Sequence, residues 1–173
     1  IRAAAGLSKN LKPDEKLKFV IVGEETLGSS SSYLRELHEM VDQFRMKDCV
    51  VFAGYQENIP EVMSAFDLFV MPSRQETFGL VAIEAMAMQC PIIISSGGSA
   101  SEIVGPNEEF GLTMRPEDAF DLQRKIRQVL DHKDQRKRMG ERAREHVKSQ
   151  FDRKIRLAAI LDLYDRLLRR RGV

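Results

Sequence analysis

Five short apolar runs recur along this sequence, and the segments between them read as helices. That alternation is what most constrains the fold. The runs are Leu17–Val22, Asp48–Phe52, Asp67–Met71, Pro91–Ile94 and Phe110–Met114. Each has the length of a buried strand. Residues 1–10 read as the last turns of a helix. Further helices are expected from a cap at Ser31 or Ser32 to Phe44, over Ile59–Phe66, Gly79–Met88 and Ala100–Val104, and from Arg115–Asp118 to His132. Asp134–Ser149 and Asp152–Arg170 complete the chain as two more helices, and Ile155, Ala159, Leu163 and Leu167 repeat at helical spacing in the last. Strands alternating with helices over short links imply an α/β fold, a doubly wound parallel sheet with a helical C-terminal extension. In such sheets ligands bind beyond the carboxyl ends of the strands. The loops at Gly23, Gly54, Pro72–Thr77 and Ser95–Ser99 leave those ends and should line one crevice.

With 173 residues, 43% apolar and 31% charged, the chain can bury a globular core. No apolar run approaches membrane-spanning length and no signal-peptide pattern is visible, so a cytoplasmic protein is expected. Cys49 and Cys90 each adjoin an apolar run, as buried reduced thiols would. The net charge of +1 hides a polarity: residues 121–173 hold 17 Lys and Arg against 8 Asp and Glu. Such a basic tail fits a solvated or domain-facing helix surface, and also contact with an anionic membrane or an acidic partner. His38, His132 and His146 show no ligand spacing, so no metal site is expected. No nucleophile elbow, Walker A loop or dinucleotide glycine fingerprint is present.

The chemistry concentrates in Pro72-Ser73-Arg74-Gln75-Glu76-Thr77-Phe78-Gly79-Leu80 and the helix that follows. Thr77, Phe78 and Gly79 lie where a loop becomes a helix, a place whose unpaired N–H groups and dipole favour an anion. Gly79, lacking Cβ, is expected to let a ligand approach the backbone. The helix is apolar almost all round, so burial is expected, and Glu84 in its middle then needs hydrogen-bond donors. Those donors are either ligand hydroxyls or hydroxyl and backbone groups of the core. With Glu76 in the loop, the arrangement suits a ligand carrying both phosphate and hydroxyl groups, such as a nucleotide sugar.

The spacing Glu76, seven residues, Glu84, within P-S-x-x-E-x-F-G-L-x-x-x-E-A-M-A, resembles the E-x7-E signature of the retaining GT-B glycosyltransferases of family four. The resemblance extends through Val20-Ile21-Val22-Gly23, Val50-Val51-Phe52-Ala53-Gly54-Tyr55, Pro91-Ile92-Ile93-Ile94, Gly97-Gly98 and Glu102-Ile103-Val104. It implies the second, Rossmann-like domain of a GT-B fold: residues 1–150 binding a nucleotide-sugar donor, and residues 151–173 a helix packing back toward the absent first domain. By the family pattern Glu76 is the catalytic residue and meets the donor sugar's hydroxyls. Thr77, Phe78, Gly79 and Leu80 form the turn facing the diphosphate, and Glu84 holds the ribose. Tyr55 and Gln56, after Gly54, lie against the base. Gly23 leaves room near the phosphates, and Gly97 and Gly98 border the sugar or acceptor. The implied activity is transfer of a hexose-type sugar, with retention, from a nucleoside diphosphate to an acceptor held by the first domain, which could be a sugar, a lipid or a small molecule. No cofactor or metal is implied, the D-x-D pair being absent, and no nucleic acid.

Three departures from the pattern stand out. The family's central first strand, with its diphosphate-gripping Arg and Lys, is missing, so two strand edges should face a gap. The V-G-x-G-P loop reads Val22-Gly23-Glu24-Glu25-Thr26, whose acidic residues would repel a phosphate. The G-G-x-x-E motif carries one extra residue, Gly97 to Glu102. Competing readings are a nucleotide-sugar binding module without turnover, expected of this chain alone, and an epimerase or phosphorylase of the same architecture. A phosphorylase lacks its pyridoxal lysine here, and a Rossmann dehydrogenase lacks its glycine fingerprint.

Overall fold

The computed structural model describes residues 1–25, 32–74 and 76–171. The chain runs α1 (Arg2–Ser8), β1 (Phe19–Val22), α2 (Ser32–Gln43), β2 (Val50–Gly54), α3 (Ile59–Ser64), β3 (Phe69–Met71) and α4 (Leu80–Ala87). It continues with β4 (Ile92–Ser95), α5 (Ala100–Val104), β5 (Leu112–Met114), α6 (Ala119–Leu130), α7 (Lys133–Gln150) and α8 (Arg153–Arg171). All five expected strands form, and every pairing is parallel. Of the two caps expected, Ser31 lies outside the described residues and Ser32 is the first residue of α2. Two other starts are capped by side chains: Asn58 accepts from the Glu61 N–H at α3, and Asp118 from the Asp121 N–H at α6.

The core is organised by β4. Ile92 and Ile94 point to α4, α5 and α7, meeting Ala82, Ala85, Met86, Ile103, Val104 and Ala143. Ile93 points the other way, to Leu7 of α1 and Ile126 and Val129 of α6. The period-two alternation of a strand thus feeds two apolar layers, and burying each isoleucine stabilises the fold by about 1.5–3 kcal/mol. Helix α7 closes on the α4–β4 turn at Gly140, where a Cβ would stand 2.0 Å from the Gln89 carbonyl oxygen. Burial pushes the Cys90 thiol up to about 11, so it stays protonated at neutral pH.

The single sheet expected from sequence is divided. One sheet holds β1 and β2, the other β3, β4 and β5. Among the described residues no ladder joins β1 to β3, which is where the expected gap falls. The N–H of Phe19 donates to the Cys49 carbonyl, that of Gly23 to Gly54 and that of Phe69 to Pro91. Alternate residues of a parallel strand face alternate neighbours, so Val20, Val22 and Val70 turn their backbone groups toward the gap. Helix α1 ties the two sheets together. Its Leu7 packs in the cluster that also contains Phe19 and Val70, and its Ala4 and Ala5 pack with Val50 and Ile21.

The last helix forms over the expected residues. From Asp152 to Arg170 every residue is exposed. Leu157, Ile160, Leu161, Tyr164, Leu167 and Leu168 form its continuous apolar stripe, and it lies free of the body. The repeat of Ile155, Ala159, Leu163 and Leu167 therefore buries nothing. No helix among the described residues is long and apolar enough to cross a membrane.

Candidate functional site

Strand β3 ends at Met71, and Pro72 starts the loop that leads to α4. Gly79 caps α4 with φ 84° and ψ 42°, a left-handed conformation that strains any residue with a Cβ. A Cβ there would lie 3.0 Å from Ile103 and 3.1 Å from Met71. This corrects the reason given for Gly79: its missing side chain relieves the interior rather than opening a path for a ligand. At Gly23, Gly54 and Gly97 an added Cβ would meet open space, and all three have positive φ.

The loop N–H groups have an internal acceptor. The Glu76 carboxylate accepts from the Phe78 N–H at 3.3 Å and from the Gly79 N–H at 3.1 Å. An anionic side chain therefore sits where an anion was expected. At the end of β1 the same device recurs, with the Glu25 carboxylate accepting from the Leu34 N–H of α2 at 2.8 Å. The acidic residue singled out in that loop thus caps a helix.

Glu84 is exposed, which corrects the expectation of a buried carboxylate. The inner face of α4 carries Ala82, Ile83, Ala85 and Met86, while Leu80 and Val81, 59% and 47% exposed, share the outer face with Glu84. A helix apolar by composition has been left half open, so Glu84 needs no buried partner and is free to meet a ligand.

A cavity of about 250 Å³ lies beside the loop, walled by Ser73, Arg74 and Glu76 on one side and Ser95, Ser96, Gly97 and Gly98 on the other. The two walls are tightly joined. The Ser99 hydroxyl donates to the Phe78 carbonyl at 2.6 Å, and a Cβ on Gly98 would stand 2.3 Å from the Glu76 carbonyl oxygen. Arg74 supplies positive charge to this cavity and pairs with Glu117 at 3.0 Å. A wider hollow of about 390 Å³ lies at the amino ends of the strands, among Lys12, Pro13, Asp14, Glu15, Leu130 and Asp131. Ion pairs between Lys12 and Asp131 and between Arg127 and Glu15 fill its rim, and it is remote from the motif.

The structure thus brings Glu76, Gly97 and Gly98 to one cavity, with Thr77, Phe78, Gly79, Leu80 and Glu84 on the adjoining turn and helix. Gly23, Tyr55 and Gln56 belong to the other sheet. Tyr55 is 64% exposed, and the Gln56 amide donates to the Ala53 carbonyl at 2.7 Å. Arg74 and Ser95 lie in loops that the sequence places at the crevice, although neither was singled out as a site residue. Sequence reasoning missed the aromatic contact between Phe78 and Phe151, whose ring centroids are 6.1 Å apart, because residues so distant in sequence meet only in the fold.

Residues 1–146 match the family described as Glycosyl transferases group 1. The chain is 39% identical over 99 residues to a lipopolysaccharide core biosynthesis mannosyltransferase, LpsB, of Rhizobium meliloti, which covers 57% of this chain and 28% of that protein. It is 30% identical to a D-inositol 3-phosphate glycosyltransferase of Stackebrandtia nassauensis over 100% of this chain and 39% of that protein. In fold it is similar to Anabaena Alr3699/HepE solved in complex with UDP, with a TM-score of 0.85 and 23% identity over 94% of this chain and 44% of that one. The chain therefore spans two fifths or less of the length of the curated relatives it matches.

Proposed function

The chain belongs to the glycosyl transferases group 1 family, and from that premise we propose that it is the donor-binding half of a retaining glycosyltransferase. The observation that carries this reading is the grouping of Glu76, the Phe78 and Gly79 N–H groups and the exposed Glu84 beside an open cavity at the carboxyl end of β3. A nucleoside diphosphate hexose would lie across that end, as the UDP named with HepE suggests. The start of α4 and Arg74 face the diphosphate, Glu84 the ribose, Glu76 and the Gly97–Gly98 loop the sugar. Tyr55 and Gln56 would reach the base from the other sheet.

Chemistry follows from charge. As the bond from sugar to diphosphate lengthens, the sugar becomes oxocarbenium-like and the diphosphate gains negative charge. The N–H groups at the helix start and Arg74 would stabilise that charge by exchanging Glu76 and Glu117 for the diphosphate, with no metal required. The acceptor's nucleophile and its binding groups would come from the other domain. The exposed apolar stripe of α8 supports its docking against that domain. An anionic membrane at the cytoplasmic face is the second surface that its apolar stripe and basic residues would suit.

The test is calorimetric titration of UDP, GDP, ADP and NAD, repeated with Glu84→Ala. One nucleoside diphosphate should bind, and the variant should lose at least about tenfold in affinity, the value of hydrogen bonds to a charged group. Equal binding by the variant would remove Glu84 from the site.

A further inference from the structure

The donor loop is held from a place that the proposed chemistry does not use. Phe151 is the last residue of the body before α8. It caps α7, its N–H donating to the Val147 carbonyl, and it is half-buried against the core. Its ring stands edge-on to Phe78, at 6.1 Å between centroids and 71° between planes. It also stands edge-on to His146 at 5.5 Å and 80°. His146 in turn stacks on Phe110 at 4.0 Å, and its Nε2 lies 3.2 Å from the Glu102 carbonyl oxygen of α5. A carbonyl only accepts, so that nitrogen carries the proton. The segments that directly follow both walls are therefore tied to the C-terminal end of α7, Phe78 through Phe151 and α5 through His146.

Edge-to-face aromatic pairs have a preferred geometry and add stabilisation beyond the area they bury. Phe78 is 37% exposed, and the Phe151 ring stands edge-on to it. Directly after Phe151 the chain loses contact with the body. We propose that Phe151 is a positioning residue for the donor loop. Its ring holds Phe78, and with it the turn in which the Phe78 and Gly79 N–H groups donate to Glu76 beside the cavity where the ligand would lie. The ligand part of this inference rests on the donor-site reading above; the positioning part does not.

The experiment uses the natural full-length protein with Phe151→Ala, Phe151→Tyr and, as a control, Val129→Ala. Val129 lies in the opposite apolar layer, away from the loop. Thermal unfolding, nucleoside diphosphate affinity below the unfolding range, and hydrogen exchange of the Phe78 and Gly79 amides are measured for each. Phe151→Ala should weaken nucleotide binding about five- to tenfold, as loss of one aromatic pair predicts, and should speed exchange of both amides. Phe151→Tyr should restore both. Val129→Ala should lower the unfolding temperature while leaving affinity and exchange as in the wild type. Wild-type affinity and exchange in Phe151→Ala would overturn the proposal, and so would equal losses in Val129→Ala. If the wild type binds no nucleoside diphosphate, the donor reading falls. Positioning by Phe151 is then decided by the amide exchange alone.

Discussion

The three-stranded sheet and the two-stranded sheet are made from similar residues and reach different states. In β4, Ile92, Ile93 and Ile94 are 0%, 0% and 1% exposed; in the smaller sheet Val20 is 40% and Val51 44% exposed. Strand β4 has a strand on either side and helices on both faces. In the smaller sheet, α1 and the end of α2 pack on the face of Ile21, Val50 and Phe52, and Val20 and Val51 point away from them. An apolar strand is thus a demand for neighbours, and how far the demand is met depends on what lies beside it. The same contrast appears at the helix starts. Glu25 accepts from an N–H in the first turn of α2, and Glu76 from the turn that leads into α4, beside a cavity lined from two loops.

Substitutions in the two sheets test this contrast most strongly. Ile93→Ala should cost about 3–4 kcal/mol in denaturant unfolding, since the void cannot collapse between two layers, and Val51→Ala less than about 1 kcal/mol. Equal costs would show the smaller sheet to be as well packed as the larger. The helix starts give a smaller effect. Glu76→Ala and Glu25→Ala should each lose about 1 kcal/mol of stability as caps. Only Glu76→Ala should alter binding of a nucleoside diphosphate without sugar. That affinity should hold or rise, because the N–H groups lose an internal competitor; a fall would mean that Glu76 itself contacts the nucleotide. The smallest effect concerns pH. Asp121, at the start of α6, accepts from the Arg115 N–H and from Arg124, and these hold its carboxyl below the ordinary value of 3.8. Its contribution is therefore fully present above about pH 4 and fades as pH falls through the lowered folded value. Unfolding temperatures measured from about pH 6 to pH 3 should drop more steeply in the wild type than in Asp121→Asn. Parallel curves would mean that Asp121 is held no differently in the folded chain.

The strand-helix alternation was legible because periodicity and length are local properties, and each expected strand formed. The division between β1 and β3 was expected from the resemblance. Burial was less legible. The composition of α4 read as a helix buried all round, but Leu80, Val81 and Glu84 face outward, since exposure depends on what packs where. Gly79 was singled out for its lack of a Cβ, yet the constraint comes from Ile103 and Met71, far away in sequence or on another element. The contact of Phe78 with Phe151 has no local signal at all.

The division between β1 and β3 has a thermodynamic consequence. Tyr55 stands on one side of it, Glu76 and Glu84 on the other, and the sides meet through side chains such as Leu7, Phe19 and Val70. Apolar contacts are non-directional, so they fix the separation of the sides less sharply than a ladder of hydrogen bonds would. A ligand reaching from Tyr55 to Glu84 would act as a clasp across that division. Tightening the apolar seam would then appear in its binding as a heat-capacity decrease larger than the ligand's own buried surface explains.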